Sequence, residues 1–182
     1  MATLPTTRTW VAGNPLTGAQ MNSDVRDLGN FVVSGKPLFV LRNDAGFAAT
    51  TTVSDITWDV EVLDRDGMHA SSNGYVTVPT TGGTAGYYLF VLGTVPIPTA
   101  SVSISLWPKV NGSSINQTYR GAANTNTVVG GYLHTPPLTI VQYLAVGDTF
   151  SFAVNVGTNA TIPSSGTLAT PRPMFSGYWL SQ

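Results

Sequence analysis

The chain contains no cysteine, which excludes disulfides and thiolate metal sites outright. It is also poor in charge. Asp, Glu, Lys and Arg together make up 9% of its 182 residues, against about a quarter in an ordinary globular chain. Eight basic and nine acidic residues leave a formal net charge of −1. They are spread thinly, with no Lys/Arg cluster, so the electrostatic footprint of a nucleic-acid binder is missing. No long apolar run occurs, and the start Met1-Ala2-Thr3-Leu4-Pro5 has no basic segment leading into an apolar one. Neither membrane insertion nor Sec-dependent export is expected, and folding in a cytoplasm fits.

Hydrophobic residues make up 42% of the chain, enough for a normal core, and the length suits one substantial domain with an appendage. With charge so scarce, Thr, Ser, Asn and Gly fill the polar positions. Uncharged polar surface of this kind suits a protein packed into an assembly; a plain Thr/Ser-rich β protein has the same composition.

The most apolar stretch runs from Gly86 to Val95, bounded by Gly82-Gly83 and Pro96. Periodicity alone does not separate a buried strand from a buried helix here. Only the short segment between Gly86 and Gly93 is uninterrupted, which is too short for a stable helix, so a strand buried on both faces is expected. Such a strand in an antiparallel sheet needs a second layer beneath it and a cover above. Another sheet supplies the layer, and a second copy of the chain is a candidate for the cover.

Ahead of that run, residues 1–16 read as an extended arm carrying Trp10, which either finds a pocket elsewhere or folds back on its own domain. Thr17 and Gln20 have capping-box spacing, and Met21, Val25, Leu28 and Val32 then form one apolar stripe on a helix. Gly35 and Pro37 end it. A helix this short is marginal alone, so the stripe must dock on the chain's own sheet, on two symmetry mates or on a different protein. From Leu38 onward the chain alternates strand and turn. Ile56, Trp58, Val60 and Val62 alternate with Thr57, Asp59 and Glu61, predicting a half-buried strand with a polar outer face. Tyr75–Val78, Val102–Leu106, Leu138–Leu144 and Phe150–Val156 are further strands, and Asn111-Gly112 and Gly147-Asp148 are tight turns. Eight or more short strands with regular turns predict a β-sandwich or jelly roll. Two polar stretches, 113–131 and 157–172, read as long loops.

No constellation commits the chain to catalysis. Asp55, Asp59, Glu61, Asp64 and Asp66 concentrate the acid, and two of them could in principle act as general acid and base. The strand reading instead puts Asp59 and Glu61 on a solvated face, and Asp64-Arg65-Asp66-Gly67 lacks the remaining ligands of a calcium loop. His69 and His134 have no metal-binding spacing, although a site shared by three chains on an axis would leave no trace in sequence. No nucleophile elbow and no phosphate loop occur. No catalytic residue, metal or cofactor is therefore expected. The polar loop carrying Tyr119, Arg120, Asn124 and Tyr132 is a candidate surface-recognition site for carbohydrate.

Five segments, in order and spacing, resemble the C1q/TNF-like jelly roll: Asn73-Gly74-Tyr75 with Val76-Thr77-Val78-Pro79, Gly86-Tyr87-Tyr88-Leu89-Phe90, Lys109-Val110-Asn111-Gly112, Leu144-Ala145-Val146-Gly147-Asp148, and Phe175–Leu180. They span residues 38–182, leaving 1–37 as an arm and amphipathic helix. Thr9-Trp10-Val11-Ala12-Gly13, Leu16-Thr17, Met21-Asn22 and Val25-Arg26-Asp27-Leu28 are similar to the N-termini of small virion proteins of tailed bacteriophages, as is Asp64-Arg65-Asp66-Gly67-Met68-His69 to a segment of their jelly-roll domains. The resemblance implies a homotrimer whose inner sheets pack around a threefold axis, assembled into a phage particle in the bacterial cytoplasm. Tyr87, Leu89, Val91 and Phe175 would line the trimer interface. Trp10 and the stripe Met21, Val25, Leu28 and Val32 would anchor the knob to capsid or tail proteins, as a capsid decoration, head fibre or minor tail protein that could touch host glycan. A soluble lectin-like module is the alternative.

Overall fold

The computed structural model of the chain describes residues 17–31, 36–80, 84–93, 95–98, 104–115, 128–129, 132–157, 160–162 and 172–182, with Thr9, Gly13 and Pro15 ahead of them. Helix α1 spans Gly18–Asn30. Its start is the expected capping box: the Thr17 hydroxyl accepts from the Gln20 amide at 3.2 Å, and the Gln20 side chain accepts from the Thr17 amide at 3.0 Å. Two amides that a helix N-terminus leaves without intrahelical partners are thus satisfied reciprocally.

Everything after the helix is strand and turn. The described strands are β1 (Leu38–Arg42), β2 (Phe47–Ala49), β3 (Ser54–Asp55), β4 (Val60–Asp64), β5 (Tyr75–Thr77), β6 (Gly86–Leu92), β7 (Pro96–Pro98), β8 (Ile104–Val110), β9 (Ser113–Ser114), β10 (Val128–Val129), β11 (Tyr132–His134), β12 (Leu138–Leu144), β13 (Thr149–Val156), β14 (Ala160–Ile162) and β15 (Met174–Ser181). They build a sandwich. One sheet has the order β12-β6-β15-β1-β4; the other runs β3-β13-β8-β9, with β5 also paired to β13. Two small sheets, β10-β11-β7 and β14-β2, lie beside them in the topology. Every pairing among the described strands is antiparallel.

Aromatic rings fill the space between the two sheets. Phe90 of β6 stacks on Phe150 of β13 with ring centroids 3.8 Å apart and planes 8° from parallel. Phe175 of β15 touches Phe39, Trp58, Phe90, Phe150 and Phe152, with centroid separations from 4.8 to 6.1 Å. Offset and edge-on contacts of this sort add to the burial term that dominates the stability of such a core. The expectation that Phe175 lines a trimer interface is therefore corrected. Alternation along β15 turns Phe175, Gly177 and Trp179 inward, and Phe175 is fully buried inside one chain.

The close packing leaves no room at Gly177. A methyl group there would lie 2.6 Å from the Phe39 ring and 2.7 Å from Phe90. The Asn111-Gly112 turn joins β8 to β9 with both residues at positive φ, 50° and 76°, which is the two-residue hairpin geometry those residue types favour.

The predicted strand through 56–62 is also corrected. Ile56 and Trp58 are buried as expected, but the paired strand is β4, starting only at Val60. Val62 is 53% exposed. β4 is the edge of its sheet, and its pairing with β1 shifts register between Val40 and Leu41; the irregularity breaks the alternation that the sequence carried through Val62.

Candidate interaction face

The outward surfaces of the two main sheets differ in chemistry. On the β3-β13-β8-β9 side, Asp55, Ala153 and Trp107 stand across from one another on three strands, as do Tyr75, Ser151 and Lys109. Lys109 pairs with Asp55 at 2.8 Å, and the Trp107 indole donates to Asn155 at 3.0 Å. This is an ordinary wet sheet face.

The β12-β6-β15-β1-β4 side is apolar. Val141, Leu89, Tyr178 and Leu38 are register partners across four neighbouring strands and form one row. A second row runs Thr139, Val91, Ser176, Val40 and Leu63 across all five. A third brings Tyr143 beside Tyr87, their rings 5.4 Å apart and edge-on. Val141 is 55% exposed, and Tyr87, Tyr143 and Tyr178 are each exposed by more than two fifths. Arg42 lies at the end of β1, opposite Met174, and its guanidinium is held by both oxygens of Asp44 at 2.7 and 2.8 Å. The three rows carry no ionised side chain. A contiguous apolar face of this extent, rimmed by polar groups, marks an interaction surface.

The arrangement of the two sheets matches solved structures. The globular domain of zebrafish complement 1qA superposes with a TM-score of 0.54, covering 81% of this chain and 99% of its own at 16% identity. Murine APRIL, in its structure at pH 5.0, gives a TM-score of 0.51 over 80% of this chain and 99% of its own at 14% identity. The fold is a C1q/TNF-like jelly roll. No protein-family model matches the sequence, and a search of curated proteins gives no match.

Within the jelly roll, Tyr88, Phe90 and Leu92 point into the sandwich and are fully buried, so Tyr87, Leu89 and Val91 lie on the outward face. The Tyr88 hydroxyl donates to the Thr84 carbonyl at 2.5 Å; burial, with a contribution from Asp66, pushes its phenol well above the ordinary value. The residues beside Tyr87, Leu89 and Val91 (Val141, Tyr143, Tyr178, Leu38, Val40 and Leu63) escaped the sequence reading. Their alternation was legible strand by strand, but which strands are neighbours was not.

The helical stripe is left bare by the chain's own body. Met21, Val25 and Leu28 are 48%, 66% and 51% exposed, and no residue of α1 is buried. Phe31 at its C-cap is buried instead, edge-on to Trp179 with centroids 5.4 Å apart. Trp10, Val32, Tyr119, Arg120, Asn124 and the side chain of Tyr132 lie outside the described residues, so the arm, the last stripe position and the recognition loop are not placed.

The acidic stretch is used for local structure. Asp64 accepts from the amides of Met68 and His69 at 3.0 and 2.8 Å, closing the turn the sequence predicted. The buried His69 ring places Nδ1 2.9 Å from Glu61 Oε1 and Nε2 3.2 Å from the Asn73 carbonyl. Asp44 accepts from Arg42 and Arg172, and its amide donates to Asp59 at 2.7 Å. Burial alone would raise the Asp44 carboxyl; the hydrogen bonds from Arg42 and Arg172 outweigh that and hold it below its usual value. Among the described residues, no group of three or more His, Cys, Asp or Glu side chains is gathered to hold a metal ion, and no helix is long and apolar enough to cross a membrane.

Proposed function

We propose that the chain is a homotrimeric, non-enzymatic structural protein of a bacteriophage virion, a jelly-roll knob attached to the particle through its N-terminal segment. The row Val141-Leu89-Tyr178-Leu38 on the outward sheet face carries the self-association. Leaving that face in water is costly, at about 25 cal/mol for each Å² of apolar surface, and closed cyclic packing of three copies covers it without leaving an open edge. The C1q/TNF-like fold, commonly trimeric through this sheet, supports the choice of three over two. Covering the face in an assembly also accounts for a composition with only 9% charge.

The virion placement is supported by the likeness of Thr9–Gly13, Leu16-Thr17 and Met21–Leu28 to the N-termini of phage virion proteins. Capsid decoration, head fibre and minor tail protein all satisfy it, and contact with host glycan would fall to the loop carrying Tyr119, Arg120, Asn124 and Tyr132. Particles assembled without the protein are the test substrate. Full-length chain should bind them, and a chain that begins at Phe31, keeping the contact on Trp179, should remain folded and fail to bind. Equal binding by both would contradict N-terminal attachment, and no binding by the full chain would contradict the virion role.

A further inference from the structure

Helix α1 offers a stripe that nothing in its own chain covers, and three features name its occupant. The first is the width of the stripe. Met21, Val25 and Leu28 fall at alternating spacings of four and three, the two-per-heptad seam of a coiled coil. The broader apolar band of a helix that beds on a globular surface is missing, because the flanking positions are Asn22, Asp24 and Gly29. The second is the side that carries polar contacts. Ser23 donates to Asp27 at 3.2 Å and Arg26 to Asp27 at 3.1 Å, all on the back of the seam.

The third is continuity with the interaction face. Phe31 lies about a quarter turn around the helix from the seam and is buried on Trp179, which ties the helix to β15 and leaves the seam uncovered. The next residue along β15 from that ring is Tyr178, in the central apolar row, and the Trp179 amide donates to the Pro37 carbonyl immediately before Leu38, another member of that row. Helix and face are therefore joined within a few residues. In parallel copies Asp24 of one helix faces the neutral Gly29 of the next across the seam, so no like charges meet.

We infer that the seam of α1 packs against the same seam of the other copies, forming a short parallel three-helix bundle that continues the axis of the knob. This rests on the trimer reading of the sheet face. Two heptads do not associate alone, but three helices fastened to one trimeric knob meet at high effective concentration. The stripe then serves the trimer, and attachment to the particle passes to the residues ahead of Thr17.

Because the chain has no cysteine, single introduced thiols report the arrangement without background. Leu28→Cys and Val25→Cys place a thiol in the seam; Arg26→Cys places it on the back. All three positions are exposed, so none disturbs the core. Each reduced full-length variant is sized by light scattering, then oxidised mildly and run on a non-reducing gel. Three thiols at one axis can form one disulfide, so about two thirds of the Leu28→Cys or Val25→Cys chains should run as linked dimers, with Arg26→Cys largely unlinked. Trimers in which both seam variants link no better than Arg26→Cys would overturn the bundle and leave the knob trimer intact, with a different protein as the occupant. A monomer mass in the reduced state would overturn the trimer reading and the bundle with it.

Discussion

Leu89 and Tyr178 are cross-strand partners on β6 and β15, and both side chains point away from the sandwich core. Their neighbours Tyr88 and Trp179, also register partners, point into it. The same two strands thus build a closed core on one side and an apolar surface on the other.

Leu89→Asp should separate those two roles. The carboxylate would lie in the middle row of the outward face, and three copies would be forced together in an apolar seam at a cost of several kcal/mol for each unpaired charge. The core residues are untouched, so the variant should melt cooperatively as a monomer. Sedimentation velocity together with circular dichroism checks both halves of that expectation; an undisturbed trimer would mean the association surface lies elsewhere.

Gly177→Ala tests the inward side. The added methyl would meet the Phe39 and Phe90 rings at 2.6 and 2.7 Å, a true overlap in a packed aromatic core. Overpacking of this kind costs about 1–3 kcal/mol, and urea unfolding should show a loss of that size. Phe175→Ala should cost more, about 3–5 kcal/mol, since it empties the centre of the cluster.

Asp44 sets an acid limit. Its folded carboxyl is held below the ordinary value by Arg42 and Arg172, which outweigh the opposing effect of burial. A group whose folded pKa is depressed contributes stability above its unfolded pKa and loses it as pH falls through the folded value. The melting temperature should therefore fall on acidification below about pH 4, and Asp44→Asn should flatten part of that fall. A variant with an unchanged acid slope would show that the two arginines do not stabilise the native turn.

How much of this was legible beforehand follows from how local each signal is. The capping box at Thr17 and Gln20, the Asn111-Gly112 turn and the alternation of β6 are encoded within a few residues, and all three are present in the structure. Phe175 was misplaced because its strand reads Phe-Ser-Gly-Tyr-Trp, with large rings in both phases of the alternation. Only the neighbouring Phe39 and Phe150 show which phase is inside. Val62 failed for a related reason: the register shift between β1 and β4 is a property of two strands together. The row joining Val141, Leu89, Tyr178 and Leu38 draws on four segments spread between residues 38 and 178, and strand order is what no single segment carries.

The molar mass of the full-length chain in solution tests the account most directly. Light scattering on the purified protein at micromolar concentration should give about three times the chain mass of 19.1 kDa, with no dependence on dilution across the range measured. A mass of one or two chains would contradict the threefold packing of the apolar sheet face, and with it the reading of the protein as a trimeric knob.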